Sequence, residues 1–315
     1  MLFWNNYASY YKYTGNGLQK MLNGLIIGVV QGVLEWLPVS SEGAVWLIIN
    51  QLEDMSFETG VKYALFVHLA TVPSAILVFR KQILYMINSL ARRPSEPDAV
   101  IVFLMTSFVV SGFVGLTIMK AVEFVSPLIG PLGMLLVGIL LIATGGMSFF
   151  KAQYFRHVFS KPSQIYKIPL YEEDFSETAS KSTGFKYISS IPKRVLLDSL
   201  ILGLAQGLAV LPGLSRSGIT ISLLLYRGVE KNNAVTMSFL MSIPASLAAA
   251  LYAIFTTENL SFSTPILVSC LTAFIVGTIF IKVVLKFVSK INLTFFIVAT
   301  AVVVICGALL DILDR

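Results

Sequence analysis

Gln31-Gly-Val-Leu-Glu35-Trp-Leu-Pro38-Val-Ser-Ser41-Glu-Gly43 interrupts an apolar stretch, 21–50, that is too long for one membrane helix. Pro38 ends any helix begun upstream, and Ser40 suits the start of a new one. Read as helix, break, helix, the stretch enters and leaves the membrane on one side; broken backbone at that depth must be buried in protein or line a cavity. A second stretch, 195–226, is broken in the same way by Pro212-Gly-Leu-Ser-Arg216-Ser. Gly28, Gln31 and Gly32 align with Gly203, Gln206 and Gly207, and Ser41-Glu-Gly43 aligns with Arg216-Ser-Gly218. The offset is 175 residues, with a one-residue slip around the proline.

The rest of the 315 residues fits a membrane setting. The chain is 56% hydrophobic and 13% charged with a mean hydropathy of +0.81, which excludes a soluble globular enzyme. Six further apolar stretches read as full spans: 60–79, 99–119, 128–150, 235–255, 265–287 and 293–310. They are continuous rather than alternating, which excludes a pore-forming barrel. The net charge of +6 reflects Lys and Arg placed between spans, so it marks topology and not a nucleic-acid surface. With both broken stretches re-entrant, 17 of the 23 Lys and Arg fall on one side, five on the other, and Arg216 stays within the membrane. That bias makes the basic side cytoplasmic and puts both termini outside.

Each broken stretch is followed by three spans, an odd number, so the second copy enters from the opposite face. The expected fold is an all-α polytopic membrane protein: about six transmembrane helices plus two re-entrant helix-break-helix hairpins in an inverted-topology repeat. Its parts are an interfacial N-terminal segment with Trp4 and Tyr7 (1–20), a first repeat (21–150), a polar cytoplasmic connector (151–194) and a second repeat (195–315). Cys270 and Cys306 each lie in an apolar run, which argues against disulfide frameworks and zinc sites. Asp198 lies near a span end and reads as interfacial.

An intramembrane carboxylate is costly and marks function by default. Glu35 follows Gln31 by one helical turn, so the two share a face and are placed to hold a cation. Arg216, between Ser215 and Ser217 and followed by Gly218 and Thr220, sits where a new helix begins. A helix start offers unpaired N–H groups, and one Arg adds bidentate recognition of phosphate oxygens. Ser40, Ser41 and Gly43 form the matching start in the first half. Two such starts facing each other make an anion site for a group such as a diphosphate. Glu35 would repel that anion unless a divalent metal, Mg²⁺ or Ca²⁺, lies between them.

Gln31-Gly-Val-Leu-Glu35 running into Pro38-Val-Ser-Ser41-Glu-Gly43, with Pro212-Gly213-Leu-Ser-Arg216-Ser-Gly218-Ile-Thr220, resembles the two signature motifs of the undecaprenyl-diphosphate phosphatase (bacitracin-resistance) family. The resemblance extends over about 21–311. It implies a membrane hydrolase that removes one phosphate from a polyprenyl diphosphate and regenerates the monophosphate carrier for cell-wall glycans, with a divalent metal required. By resemblance, Glu35 and Gln31 belong to the metal-proximal motif and Ser41 supplies the hydroxyl near the scissile phosphate. Arg216 with Ser215 and Ser217 forms the phosphate clamp, and Ser40, Gly43, Gly213, Gly218 and Thr220 complete the substrate-binding set. The implied setting is the plasma membrane, with the site open toward the outer face, membrane lipids as surroundings, no nucleic acid, and a homodimer as one oligomeric option.

One position departs from the pattern: the family's first motif usually continues Ser-Ser-x-Gly-His, and here the last residue is Ala44. Three readings stay open. Glu42 or His68 acts as base; Ser41 or a metal-bound water attacks without histidine; or hydrolysis is lost. Each residue also has a plainer role: Glu35 as the structural partner of Arg216, Ser40 as a helix cap, Glu42 as a first-turn acid, His68 as a packing residue, and Gln31 and Gln206 as packing between halves. A transporter of polyprenyl phosphate would use the same anion pocket without hydrolysis.

Overall fold

The computed structural model describes residues 17–53, 57–92, 98–129, 193–211, 213–256 and 264–287. Among these residues the chain is helical, with no strand. In chain order the helices are α1 (Gly17–Leu34), α2 (Ser41–Glu53), α3 (Phe57–Val67), a 3₁₀ turn (His68–Ala70), α4 (Thr71–Val78), α5 (Arg80–Arg92) and α6 (Ala99–Ile129). They continue with α7 (Lys193–Leu208), α8 (Arg216–Tyr226), α9 (Lys231–Thr256) and α10 (Thr264–Phe287). Five segments are long and apolar enough to cross a membrane: Gly17–Leu34, Gly60–Val78, Ala99–Val122, Lys231–Thr256 and Thr264–Phe287. The chain is therefore a multi-pass membrane protein in its helical make-up. The expected spans 128–150 and 293–310 and the connector 151–194 lie, apart from their ends, outside the described residues, as do residues 1–16.

Both expected breaks are present: α1 stops at Leu34 and α2 starts at Ser41, while α7 stops at Leu208 and α8 starts at Arg216. Other boundaries differ from the hydropathy reading. α1 begins at Gly17, inside the segment read as interfacial, and at 18 residues has the length of a span by itself. α6 continues ten residues past 119, because Lys120 and Glu123 lower hydropathy without breaking backbone hydrogen bonds. The span read as one helix over 60–79 tightens into the 3₁₀ turn at His68. Pro73 explains the position: it has no N–H to give Leu69, and its ring crowds the carbonyl one turn back.

α1 packs along α10, and α7 packs along α6. Glycines set both contacts. A Cβ on Gly28 would meet the Ser269 carbonyl oxygen at 2.5 Å and Thr272 Cβ at 2.6 Å; a Cβ on Gly203 would meet the Ser107 carbonyl oxygen and Val110 Cβ, both at 2.8 Å. Gly32 and Gly207 repeat the relation, against Val276 and Val114. At Gly32 the nearest neighbour is backbone, Gly277 N at 2.9 Å, which no side-chain rotation can move. Gly32→Ala is accordingly expected to cost about 1–3 kcal/mol and lower the melting temperature in detergent. Gly112→Ala, whose Cβ meets nothing within 4 Å, should not lower the melting temperature, since alanine is the better helix former.

The first break is anchored by Trp36, which stacks edge-on against Phe239 of α9 with ring centroids 5.1 Å apart; Phe239 meets Phe79 at 6.4 Å. The second is tied at its far ends by Asp198, which lies near the start of α7 and is buried in the protein. Its carboxylate lies 2.5 Å from Arg227 Nε and 3.8 Å from Arg194 Nε.

Candidate active site

The two breaks lock into each other. Ser40 precedes α2, and its Oγ accepts from Gly43 N at 3.1 Å, a cap on the new helix. The same oxygen accepts from Gly213 N of the other break at 3.0 Å. Gly213 has φ 99°, a left-handed conformation that an L side chain resists, which turns its N–H toward Ser40. Ser215, at the position equivalent to Ser40, caps α8 by accepting from Gly218 N at 3.0 Å. Ser217 Oγ donates to the Leu37 carbonyl in the first break. Thr220 Oγ1 donates to the Arg216 carbonyl at 2.8 Å and lies 2.7 Å from Ser238 Oγ on α9. Ser40 with Gly213, and Ser217 with the Leu37 carbonyl, thus tie the two breaks together, while Gly43, Ser215, Gly218 and Thr220 make the bonds of their own helix starts and, through Thr220, reach α9.

Glu35 lies at the junction, 3% exposed. Its Oε1 pairs with the Arg216 guanidinium and accepts from Ser246 Oγ of α9 at 3.4 Å. Its Oε2 accepts from Ser41 Oγ at 2.9 Å and Gln31 Nε2 at 3.0 Å, and lies 3.1 Å from His68 Nε2. His68 Nε2 is also 3.2 Å from Glu42 Oε1, while its Nδ1 lies 2.8 Å from the Ala64 carbonyl oxygen. The 3₁₀ turn therefore delivers an imidazole to a carboxylate pair formed across the first break. Ser41 Oγ against a carboxylate is the spacing of a nucleophile beside a base.

A cavity of about 470 Å³ opens beside this cluster. Arg216, His68, Glu42 and Ser246 give it one polar end, and small and apolar residues of α6 and α9 form its walls. Glu35, Ser41 and Gln31 are not among its lining residues; they lie buried behind Arg216 and His68. The cap residues Ser40, Ser215 and Ser217 do not line it either. Of the residues singled out in the sequence, Arg216, His68, Glu42, Gln206 and Gly207 border the open space.

Among the described residues no group of three His, Cys, Asp or Glu side chains forms a ready metal centre. The donor chemistry nevertheless suits a hard divalent ion. Glu35 and Glu42 supply carboxylate oxygens, and Gln31 Oε1 is buried without a hydrogen-bond partner. Such an ion would draw its remaining ligands from phosphate and water. Sequence reasoning missed Ser246, because a serine within an apolar span carries no motif. It also missed the wall of the cavity, which no single residue announces.

Residues 24–306 match the family described as Bacitracin resistance protein BacA. Among curated relatives, an undecaprenyl-diphosphatase of Methanococcoides burtonii is 32% identical over 285 residues, covering 88% of this chain and 94% of the relative. The one from Haloarcula marismortui is 35% identical over 237 residues, covering 74% of this chain and 76% of the relative. A bacterial one, from Treponema denticola, is 29% identical over 289 residues, 88% and 92% of the two chains. With the match running through both breaks and the helices that frame them, the chain belongs to the bacitracin resistance protein BacA family.

Proposed function

We propose that this protein is an integral membrane phosphatase that hydrolyses a long-chain polyprenyl diphosphate to the monophosphate and inorganic phosphate, recycling the lipid carrier for glycan synthesis. The observation that carries the reading is the Glu35–Arg216 pair, drawn from two breaks 181 residues apart to the polar end of an apolar-walled cavity of about 470 Å³. The undecaprenyl-diphosphatase names of the relatives support the same reaction.

In this reading Arg216 exchanges Glu35 for phosphate oxygens, because a doubly charged phosphate accepts a guanidinium fork better than a carboxylate already shared among four other donors. Glu35, freed on that side, takes the proton of Ser41 or of a water beside it; that oxygen attacks the terminal phosphorus as its bond to the bridging oxygen breaks and the polyprenyl monophosphate leaves, and where Ser41 attacks, a water then hydrolyses the phosphoserine to inorganic phosphate. His68 stands between Glu35 and Glu42 where the expected histidine is replaced by Ala44, and it takes part in the same proton chain. Glu35, Glu42 and Gln31 would hold Mg²⁺ or Ca²⁺, which supplies neutralisation of the phosphate charge.

The same reading includes the architecture. Two re-entrant hairpins of opposite orientation, in repeats 21–150 and 195–315 joined by a cytoplasmic connector, are supported by the equivalent glycine contacts of α1 on α10 and α7 on α6. The site then opens toward the outer face of the plasma membrane. A second reading, a polyprenyl-phosphate transporter, is favoured by Ala44 and by the near-complete pairing of Glu35.

The test is phosphate release from undecaprenyl diphosphate by purified protein in detergent, with Mg²⁺, with Ca²⁺ and with chelator. Release that requires the metal is expected. Folded protein that releases none with either ion would move the reading to the transporter.

A further inference from the structure

Resting on the diphosphate reading, we infer that the slot between α6 and α9 is the seat of the head-proximal isoprenyl units, and that Gly112 and Gly115 determine whether a prenyl chain fits. The cavity follows α6 from Phe108 to Met119, roughly 16 Å at the helical rise. Its polar end is Arg216, His68 and Glu42; beyond these the walls are nearly all apolar. An anionic head with a hydrocarbon tail has that polarity along its length.

Small residues make the space. A Cβ on Gly112 would meet nothing within 4 Å, and one on Gly115 only the Gly207 carbonyl at 3.8 Å, so both glycines face the slot rather than a packed helix. This differs from Gly28, Gly32, Gly203 and Gly207, which are glycine because another helix touches them. Opposite, α9 offers Ala245, Ala248 and Ala249. A second, independent feature marks the slot as a ligand site. Gln206 lines it, is 5% exposed, donates to Ser111 Oγ at 3.1 Å, and keeps its Oε1 buried with no hydrogen-bond partner. A buried acceptor without a partner calls for one, which a water or a protonated oxygen arriving with the ligand head would supply.

The outlet is lateral. Leu116, Leu251 and Phe255 line the slot and are 51%, 40% and 82% exposed, so its rim is continuous with the apolar outer surface of the helices. At about 470 Å³ the slot takes the head and a few isoprene units, the scale of a small-molecule pocket, while the rest of a long chain lies in the bilayer. On α9 the lining residues, Ala245 to Thr256, all fall in the half remote from Lys231, and on α6 they run from Phe108, near mid-helix, away from Arg92 to Met119, so the lipid is taken from the leaflet opposite the basic face.

The experiment compares wild type with Gly112→Ala, Gly112→Leu and Gly112→Phe, each confirmed folded by its melting temperature. Two substrates are used, undecaprenyl diphosphate and water-soluble dimethylallyl diphosphate. The ratio of their kcat/KM values should fall with side-chain size, by tenfold or more at Gly112→Phe. An unchanged ratio overturns the slot. Equilibrium binding of radiolabelled undecaprenyl monophosphate gives a readout that needs no turnover. It should weaken at least tenfold in Gly112→Phe and resist excess phosphatidylglycerol, whereas binding equal to wild type, or full displacement by phosphatidylglycerol, overturns the slot. A wild type that binds in this Gly112-dependent way yet releases no phosphate leaves the slot standing and removes the hydrolase reading alone.

Discussion

Arg216→Ala is expected to lower phosphate release from a polyprenyl diphosphate by about a thousandfold or more. Arg216 is the cation among the described residues that both lines the cavity and reaches Glu35. A guanidinium that meets developing charge on a transferred phosphoryl group contributes on the order of 10³–10⁵ in rate. The alanine variant also strands Glu35 in a buried place, and losing one partner of a buried ion pair costs about 3–5 kcal/mol. Arg216→Lys separates the two effects. It keeps a positive charge beside Glu35, so the protein should stay folded, but a point charge cannot fork across two phosphate oxygens. Activity is expected to fall about a hundredfold, with a melting temperature closer to wild type than that of the alanine variant. Full activity in folded Arg216→Lys would contradict the clamp role.

Glu35→Gln is the second large effect, an expected loss of about 10²–10⁴ in kcat, the usual worth of a positioned general base. The carboxylate accepts from Ser41, Gln31 and Ser246 and faces Arg216 and His68, so every neighbour named is a donor or a cation. An amide of the same shape keeps one acceptor oxygen and turns an NH₂ group toward the remaining donors. It removes the proton acceptor without opening a cavity, and a melting temperature read in parallel checks that the fold is kept. The discriminating measurement is pre-steady-state and steady-state phosphate release over a range of substrate concentrations. A slowed chemical step with little change in KM fits the base role; a raised KM with unchanged kcat contradicts it.

Much of the arrangement was legible in residue order. Pro38 and the serines after it announce a stop and a start, and the matched glycines 28/203 and 32/207 mark an internal repeat. The partners of those glycines, α10 and α6, were not legible, because the contact lies across the sequence and hydropathy records only depth. His68 illustrates the limit at the site. The sequence shows a histidine within an apolar span; its delivery to Glu35 and Glu42 depends on a 3₁₀ turn that Pro73 enforces five residues later. In the sequence Ser40 reads as a helix cap or as part of the substrate-binding set, and Ser215 and Ser217 as part of the phosphate clamp; both uses ask for a hydroxyl at a helix start. In the folded chain their oxygens are committed to Gly43, Gly213, Gly218 and Leu37. The cavity was hidden for a different reason: it is made by side chains that are absent, at Gly112 and Gly115, and no pattern of residue types marks empty space.

The central claim, that the Glu35–Arg216 junction cleaves a lipid diphosphate rather than carrying it, is tested most directly in proteoliposomes loaded with a fluorescent polyprenyl diphosphate. Phosphate release and movement of the lipid between leaflets are followed in the same sample, for wild type and Arg216→Lys. The expected result is stoichiometric release of phosphate by wild type, strongly reduced in the variant, with no lipid crossing the bilayer ahead of cleavage. Lipid translocation without phosphate release, abolished by Arg216→Lys, would contradict it.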